Sequence, residues 1–278
     1  MRDRNRRSFP NDIRILESPV FNTAVFDNAL KEIDHVIYAL GIPEQYQHDT
    51  GIFHEENYDL FKTFLDTLTK AGPKKLTYEV FQAIDGVIRE THPLVNEKGF
   101  SPYFRSMINA YRLVREYSDL ELTTIHPGAV YGGLNTGDGI TNYIENLLNK
   151  RYWRVSFVLY GQFPSYMANA IIAALQGNGP YIVSDQMASL KSLAVTLKQY
   201  ADSYVPFKSP MEIARMGATF LEWVSRFTGM KPLMANVQID FITNGSEPVP
   251  ERTVHDLGWN PVSLDEGLVK YLGMRPIG

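Results

Sequence analysis

The chain has 278 residues, of which 44% are hydrophobic and 21% are charged, a composition typical of a globular protein with a core of normal size. It contains no cysteine, which excludes disulfides, thiolate nucleophiles and zinc–thiolate sites. Its net charge of −4 gives no general attraction to nucleic acid or to an anionic membrane, and no window approaches the ~18 consecutive apolar residues of a membrane helix. Because the first residues also lack the apolar stretch of a signal peptide, we expect a cytoplasmic protein.

Strands and helices are predicted to alternate through the first two thirds of the chain. After a short apolar run at 13–16, the predicted strands cover residues 35–40, 75–81, 121–125 and 180–184, and the predicted helices cover residues 22–30, 56–71, 101–117 and 165–176. The apolar run at 35–40 is typical of a strand that is buried on both faces. This alternation predicts parallel βαβ units and a layered α/β sheet.

The last third of the chain does not continue the alternation. Two helices are predicted at 189–204 and 211–229, and the stretch at 243–250 is the most linker-like part of the sequence. We therefore expect a small, mainly helical C-terminal lobe next to the sheet.

Six segments match, in order, the motifs of one known family. They are residues 13–34 (IRILESPVFNTAVFDNALKEID), residues 35–41 (HVIYALG), Glu56-Asn57, residues 103–107 (YFRSM), residues 126–132 (HPGAVYG) and residues 257–268 (LGWNPVSLDEGL). Together they resemble the extended short-chain dehydrogenase/reductases, particularly the dihydroflavonol-reductase-like and nucleotide-sugar-epimerase-like branches. The resemblance implies a Rossmann-like, mostly parallel sheet, with residues 1–132 and 161–184 as the core and residues 133–160 and 185–278 as a smaller substrate-type lobe.

The start of the chain departs from this family. The family begins with a strand, a glycine-rich turn and a helix, which together carry the dinucleotide pyrophosphate. No such motif is present, so the resemblance predicts a sheet that lacks the usual first βα unit. Two explanations stay open: the chain is a fragment or has a misplaced start, or the strand at 12–16 pairs elsewhere, for example with another copy.

The family's catalytic and cofactor positions are also altered. Tyr103 and Ser106 keep the Tyr-x-x-Ser register, but Met107 replaces a lysine that binds the nicotinamide ribose and lowers the tyrosine pKa. The family's Gly-Asp becomes Ser-Pro at 18–19, its active-site serine becomes Val-Phe at 80–81, and an acidic stretch becomes FPSYMA at 163–168.

The resemblance still nominates site residues. It implies Tyr103 as proton donor and His126, in place of the family's arginine, as a general base. If NAD(P) binds at all, the resemblance places contacts at Gly41, Pro127, Gly128 and Ala129. The alternative interpretation is structural, because Tyr103 belongs to a helical stripe typical of a packed core and a histidine at a strand end is commonly bonded within the core.

A metal site is not predicted. His48, His54 and His92 lie in loops or near helix starts, without the fixed spacing on one element that metal ligands require.

Three functions remain open. The first is a divergent family member that binds a small metabolite, acts as a partner subunit or performs cofactor-free isomerisation or cyclisation. The second is an NAD(P)-linked carbonyl reductase or sugar epimerase whose N-terminal cofactor segment is missing from this chain. The third is an α/β protein that works by association, as a homo-oligomer paired through an exposed sheet slot.

Overall fold

The computed structural model describes residues 29–31, 33–41, 46–72, 75–80, 101–127, 129–130, 139–149, 157–158, 162–166, 180–183, 187–205, 207–208, 210–232, 234–243 and 251–274. The strands, in chain order, are β1 His35–Tyr38, β2 Lys75–Glu79, β3 Glu121–Pro127, β4 Ala129–Val130, β5 Phe157–Val158, β6 Gln162–Tyr166, β7 Pro180–Val183, β8 Met187–Ser189 and β9 Phe207–Lys208. The helices are α1 Gly51–His54, α2 Leu60–Lys70, α3 Pro102–Val114, α4 Gly139–Leu148, α5 Leu190–Tyr200, α6 Met211–Thr228, α7 Asn236–Thr243, α8 Glu251–Leu257 and α9 Leu264–Met274.

The central sheet has four strands in the order β1-β2-β3-β7, and every neighbouring pair is parallel. The predicted Rossmann-like α/β class, with a mostly parallel sheet, is therefore confirmed. Two smaller sheets accompany it, β4-β6-β8 and β5-β9, and in the described residues only the β6–β8 pair is antiparallel. The predicted strand at 12–16 lies outside the described residues.

β1 does not have the burial that its apolar sequence predicted. The strand spans His35–Tyr38, and the side chains of Ile37 and Leu40 are 44% and 60% exposed. The expectation of burial on both faces was wrong. β1 is an edge strand of the described sheet, and an edge strand has fewer neighbours to cover it than a central strand has.

The helix predicted at 56–71 begins earlier and is not α-helical throughout. α1 leads into a π-helical turn at Glu55–Asp59, and α2 continues from it to Lys70. π-helical turns inside α-helices frequently occur at functional sites. The turn gives the family-matching Asn57 a buried position.

One predicted helix was wrong at its start. The helix expected at 165–176 begins in residues that form the end of β6, where Ser165 pairs with Ala129 and Tyr166 with Val130. Pairing of β6 with both β4 and β8 outweighs the helical spacing of the sequence there. The remainder of that predicted helix, from residue 167, lies outside the described residues.

The C-terminal part is mainly helical, as predicted. Ser189 caps α5 through a reciprocal pair of hydrogen bonds with Ser192, and the helix ends at Tyr200, four residues before the predicted end. Gly229 ends α6 with a φ of 69°, a left-handed conformation that glycine adopts without strain.

The core has two large clusters of buried apolar side chains. The first lies between the central sheet and helices α2 and α3 and includes Phe61, Leu65, Leu76 and Ile108. The second is built around α4, α5 and α9. None of the helices in the described part of the chain is long and apolar enough to cross a membrane.

Candidate active site at the carboxyl edge of the sheet

The four parallel strands of the central sheet end at one edge. β1 ends at Tyr38, β2 at Glu79, β3 at Pro127 and β7 at Val183. In open parallel sheets, ligands bind in the crevice outside the carboxyl ends of the strands. This edge is therefore where a functional site is expected.

A chain of close contacts joins three of the family-matching segments at this edge. Gly41 follows β1, and a Cβ atom added to it would lie 3.5 Å from Asn57 Oδ1. Asn57 Nδ2 donates a 2.9 Å hydrogen bond to Ser106 Oγ, and that hydroxyl donates a 2.7 Å bond to the backbone oxygen of Tyr103. The π-helical turn thus fixes the start of α3, whose first turn is capped by Ser101.

Tyr103 is a buried phenol. Its side chain is 2% exposed, and its ring lies edge-on to the ring of Phe53 at a centroid distance of 5.5 Å. Burial raises the pKa of Tyr103. This is the opposite of the shift that a neighbouring lysine would produce, and Met107, buried one turn further along α3, supplies no charge.

Two more buried tyrosines lie nearby, and sequence reasoning did not nominate them. The rings of Tyr38 and Tyr78 are 5.9 Å apart. Burial raises the pKa of Tyr78, and the phenols of Tyr38 and Tyr103 raise it further. The only signal in the sequence was a tyrosine inside each of two predicted strands, HVIYAL and KLTYEVF.

The end of β2 carries a carboxylate where the family has its serine region. Glu79 is the last residue of β2, and burial raises its pKa. The Val80 amide next to it donates a 2.7 Å hydrogen bond to the oxygen of Ile125, so Val80 continues the sheet and offers no hydroxyl. Thr77 is fully buried and lies 2.8 Å from His35 Nε2, so its hydroxyl is part of the sheet interior.

His126 is fully buried in a different environment. Its Nε2 atom lies 3.0 Å from Thr124 Oγ1, and its ring lies edge-on to Tyr111 at 5.6 Å. Tyr111 is eight residues after Tyr103, which places it about 12 Å further along α3. The surroundings of His126 are thus those of a histidine bonded at a strand end.

The expected cofactor contacts are described only in part. Pro127 is buried at the end of β3 and pairs with Val183, and Ala129 pairs with Ser165 in the small sheet. Gly128 lies outside the described residues. Among the described residues, Met107 offers no cation where the resemblance places a lysine, and Tyr103 is buried, so neither side chain presents the contact to a nicotinamide ribose that the resemblance implies. Across the described ranges, no cluster of three histidine or acidic side chains is suited to a metal ion.

The comparison with family models gives one match. The model described as NAD(P)H-binding matches residues 1–152. No curated protein matches the sequence.

Many solved structures are similar in fold. A nucleoside-diphosphate-sugar epimerase from Pseudomonas aeruginosa has a TM-score of 0.67 at 17% identity, over 91% of this chain and 79% of that chain. The UDP-glucuronic acid 4-epimerase from Bacillus cereus, in complex with UDP-glucuronic acid and NAD, has a TM-score of 0.62 at 15% identity, over 89% of this chain and 76% of that one. The dTDP-glucose 4,6-dehydratase from Bacillus anthracis, in complex with NAD, has a TM-score of 0.60 at 12% identity, over 91% and 76% of the two chains.

Proposed function

Because the chain belongs to the NAD(P)H-binding family and has the fold of the extended short-chain dehydrogenase/reductases, we propose that it binds a small metabolite at the carboxyl edge of its sheet without the family's ordinary hydride transfer. The observation that carries this proposal is the occurrence of Met107, rather than a lysine, one helical turn after Tyr103. Burial raises the pKa of Tyr103, and Met107, one turn further along α3, carries no charge that would lower it.

The proposed roles follow from the chemistry of the groups at the edge. Tyr103 stays neutral at physiological pH and is 2% exposed, so it would donate a hydrogen bond to a carbonyl or hydroxyl of the ligand only after the side chains that cover it move aside. Burial raises the pKa of Glu79, which brings this carboxyl group nearer to neutral pH and makes it the proposed general acid–base group of the edge. His126 remains a proposed second polar group, and Gly41, Pro127, Gly128 and Ala129 remain the proposed lining.

Isothermal titration of the purified chain with NADP⁺, NADPH and NADH tests the proposal. We expect no binding of any of the three by a protein that is folded by circular dichroism. Tight, stoichiometric binding of NADPH would overturn the proposal. UDP-glucuronic acid, the ligand of one similar structure, is the first metabolite to titrate. Tyr103→Phe is the matched variant, since it removes the hydroxyl and keeps the ring packed against Phe53.

A second candidate function has one specific observation in its favour. The Tyr103-x-x-Ser106 register is kept, and Asn57 holds Ser106 in place through a hydrogen bond. An NAD(P)-linked carbonyl reductase or sugar epimerase, with a glycine-rich strand and helix encoded upstream, would use this arrangement with Tyr103 as proton donor. Finding that segment in the DNA before Met1, together with NADPH binding by the extended chain, favours this candidate.

The division of the chain belongs to the same proposal. Residues 1–132 and 161–184 would form the Rossmann-like core, and residues 133–160 and 185–278 would form the substrate-type lobe. A cytoplasmic location and a homo-oligomeric assembly also remain predictions, to be tested by fractionation and by sedimentation.

A further inference from the structure

Helix α6 carries large apolar side chains on an exposed face. Five of them lie in the helix and a sixth follows its end: Ile213 (56% exposed), Met216 (73%), Phe220 (61%), Trp223 (54%), Phe227 (72%) and Met230 (68%). We name these six residues the α6 stripe. Their spacing alternates between three and four residues, which is the spacing of the buried seam of a coiled coil.

The side of α6 that faces the protein is less apolar than the stripe. Its buried residues are Ala214, Ala218 and Ser225. Helix α7 is attached to α6 through polar contacts, in which the Asn236 amide hydrogen-bonds to Glu222 and to Thr219 Oγ1 at 3.1 Å each. A surface helix that only covers its own core turns its large apolar residues inward. α6 turns five of them outward, while Met211 packs partly against the second core cluster.

The aromatic part of the stripe is continuous. The rings of Phe220 and Trp223 stack at a centroid distance of 6.1 Å, and those of Trp223 and Phe227 meet edge-on at 4.8 Å. At roughly 200 Å² for each aromatic side chain, these three expose on the order of 350 Å². With the other three members, the α6 stripe reaches the upper end of the range for the largest apolar patch on a monomer, roughly 300–600 Å², and patches of that size are often functional.

We propose that the α6 stripe is a dimer seam, on which the α6 helix of a second copy of this chain packs in the antiparallel direction. The spacing from Ile213 to Met230 reads three, four, three, four, three in both directions, so an antiparallel copy meets it layer by layer. Phe220 then lies beside Trp223 of the second copy, and Met216 beside Phe227 of the second copy. A two-fold interface of this kind is self-complementary, as homodimer contacts are.

The charges of the helix favour the same arrangement. Glu212 lies in the first turn of α6 and Arg226 in the last turn. Antiparallel packing brings the acidic end of each copy to the basic end of the other, and it also aligns the two helix dipoles favourably. Parallel packing would place like charges together.

The size of the contact sets the expected strength. Burying both stripes removes on the order of 1,000 Å² of surface from water, which lies at the low end for specific interfaces. We therefore expect a reversible dimer that dissociates at micromolar concentrations. This proposal does not depend on which ligand the sheet edge binds.

A bilayer surface is the other occupant that such a helix could have. Helices that lie in a membrane interface are rich in lysine and arginine on their polar face. The polar residues of α6 include two acids, Glu212 and Glu222, and two bases, Arg215 and Arg226, and the chain as a whole carries a net charge of −4. These charges favour a second copy over an anionic membrane.

Sedimentation velocity of the full chain, from about 0.5 to 100 μM, tests the proposal. We expect a monomer–dimer equilibrium, and we expect the double substitution Phe220→Glu with Trp223→Glu to weaken it at least about 100-fold, since central aromatic residues dominate such interfaces. Val269→Glu is the matched control, because Val269 is an apolar side chain, 49% exposed, on the different helix α9. It should leave the dissociation constant unchanged.

Cysteine cross-linking tests the orientation, because the chain has no cysteine of its own. A Met216→Cys chain mixed with a Phe227→Cys chain should form a mixed disulfide on oxidation, whereas neither chain alone should cross-link. Cross-linking of each chain with itself would overturn the antiparallel arrangement.

Three results would overturn the dimer seam. The first is a protein that stays monomeric at 100 μM. The second is a dimer that is insensitive to the stripe substitutions. The third is a monomer that floats with phosphatidylserine-containing vesicles and loses this binding when Phe220 and Trp223 are replaced. The last result would assign the stripe to a membrane. Circular dichroism and melting of each variant check that the fold is retained.

Discussion

The side-chain amide of Asn57 donates a 2.9 Å hydrogen bond to Ser106 Oγ, and this bond joins the π-helical turn to helix α3. Both groups are buried, so the bond cannot be replaced by bulk water without a rearrangement. Asn57→Ala should lower the free energy of unfolding by about 1–3 kcal/mol, because a buried polar group loses its partner. Urea unfolding measures the loss.

The double variant of Asn57 and Ser106 identifies the bond as the cause. If the bond carries the effect, the losses for Asn57→Ala and Ser106→Ala will not add in the double variant. Strictly additive losses would mean that Asn57 acts through its packing instead.

Met107→Lys places an amine at a position where the side chain is 7% exposed. We expect the free energy of unfolding to fall by about 1–3 kcal/mol, because an ammonium group at this buried position loses its hydration. Met107→Leu conserves the volume and should cost less than about 1.5 kcal/mol. Equal stability of the two variants would mean that the lysine reaches solvent.

The buried tyrosines predict a loss of stability in alkali. Burial raises the pKa of Tyr38 and Tyr78 above 10, so these groups stay protonated in the folded protein while they ionise in the unfolded chain. Their contribution is complete below pH 10 and is lost as the pH rises towards the folded pKa. Tyr78→Phe should make the fall in stability shallower, as measured by urea unfolding between pH 8 and 11. An unchanged slope would contradict this account.

Glu79 predicts a pH effect at the acid end of the range. Because burial raises the pKa of Glu79 above 4.5, the unfolded chain ionises first, and this group's contribution to stability falls as the pH rises through 4.5 to the folded pKa. Glu79→Gln should remove that fall and raise the melting temperature at neutral pH. Glu116→Gln, at an exposed glutamate that follows α3, controls for the loss of one negative charge.

Much of the architecture could be predicted because local patterns and tertiary pairing agree. The serine–proline start of α3, the glycine end of α6 and the threonine-rich sequence of β3 each predict the element that forms. The start of the helix expected at 165–176 was wrong, because residues 165–166 belong to β6. The pairing of β6 with β4 depends on residues far apart in the sequence. Periodicity contains no information about such partners.

The site was predictable as a set of positions but not as a set of environments. The motif match picked out Asn57, Tyr103 and Ser106 in two separate segments, and the structure joins these segments through hydrogen bonds. The burial of Tyr103, the raised pKa of Glu79 and the grouping of the phenols of Tyr38 and Tyr78 depend on which helices cover the sheet. No single stretch of sequence specifies that cover.

The all-parallel pairing of the central sheet also governs how the protein reaches its fold. His35 pairs with Lys75, Lys75 with Glu121, and Thr124 with Pro180, so partners on adjacent strands lie 40 to 56 residues apart. Each pairing closes a long loop before any sheet contact compensates the lost chain entropy, and proteins built from such distant contacts fold slowly. During synthesis the sheet is completed only after β7 has left the ribosome, and until then the edge of β3 that will pair with β7 is open to association with other chains.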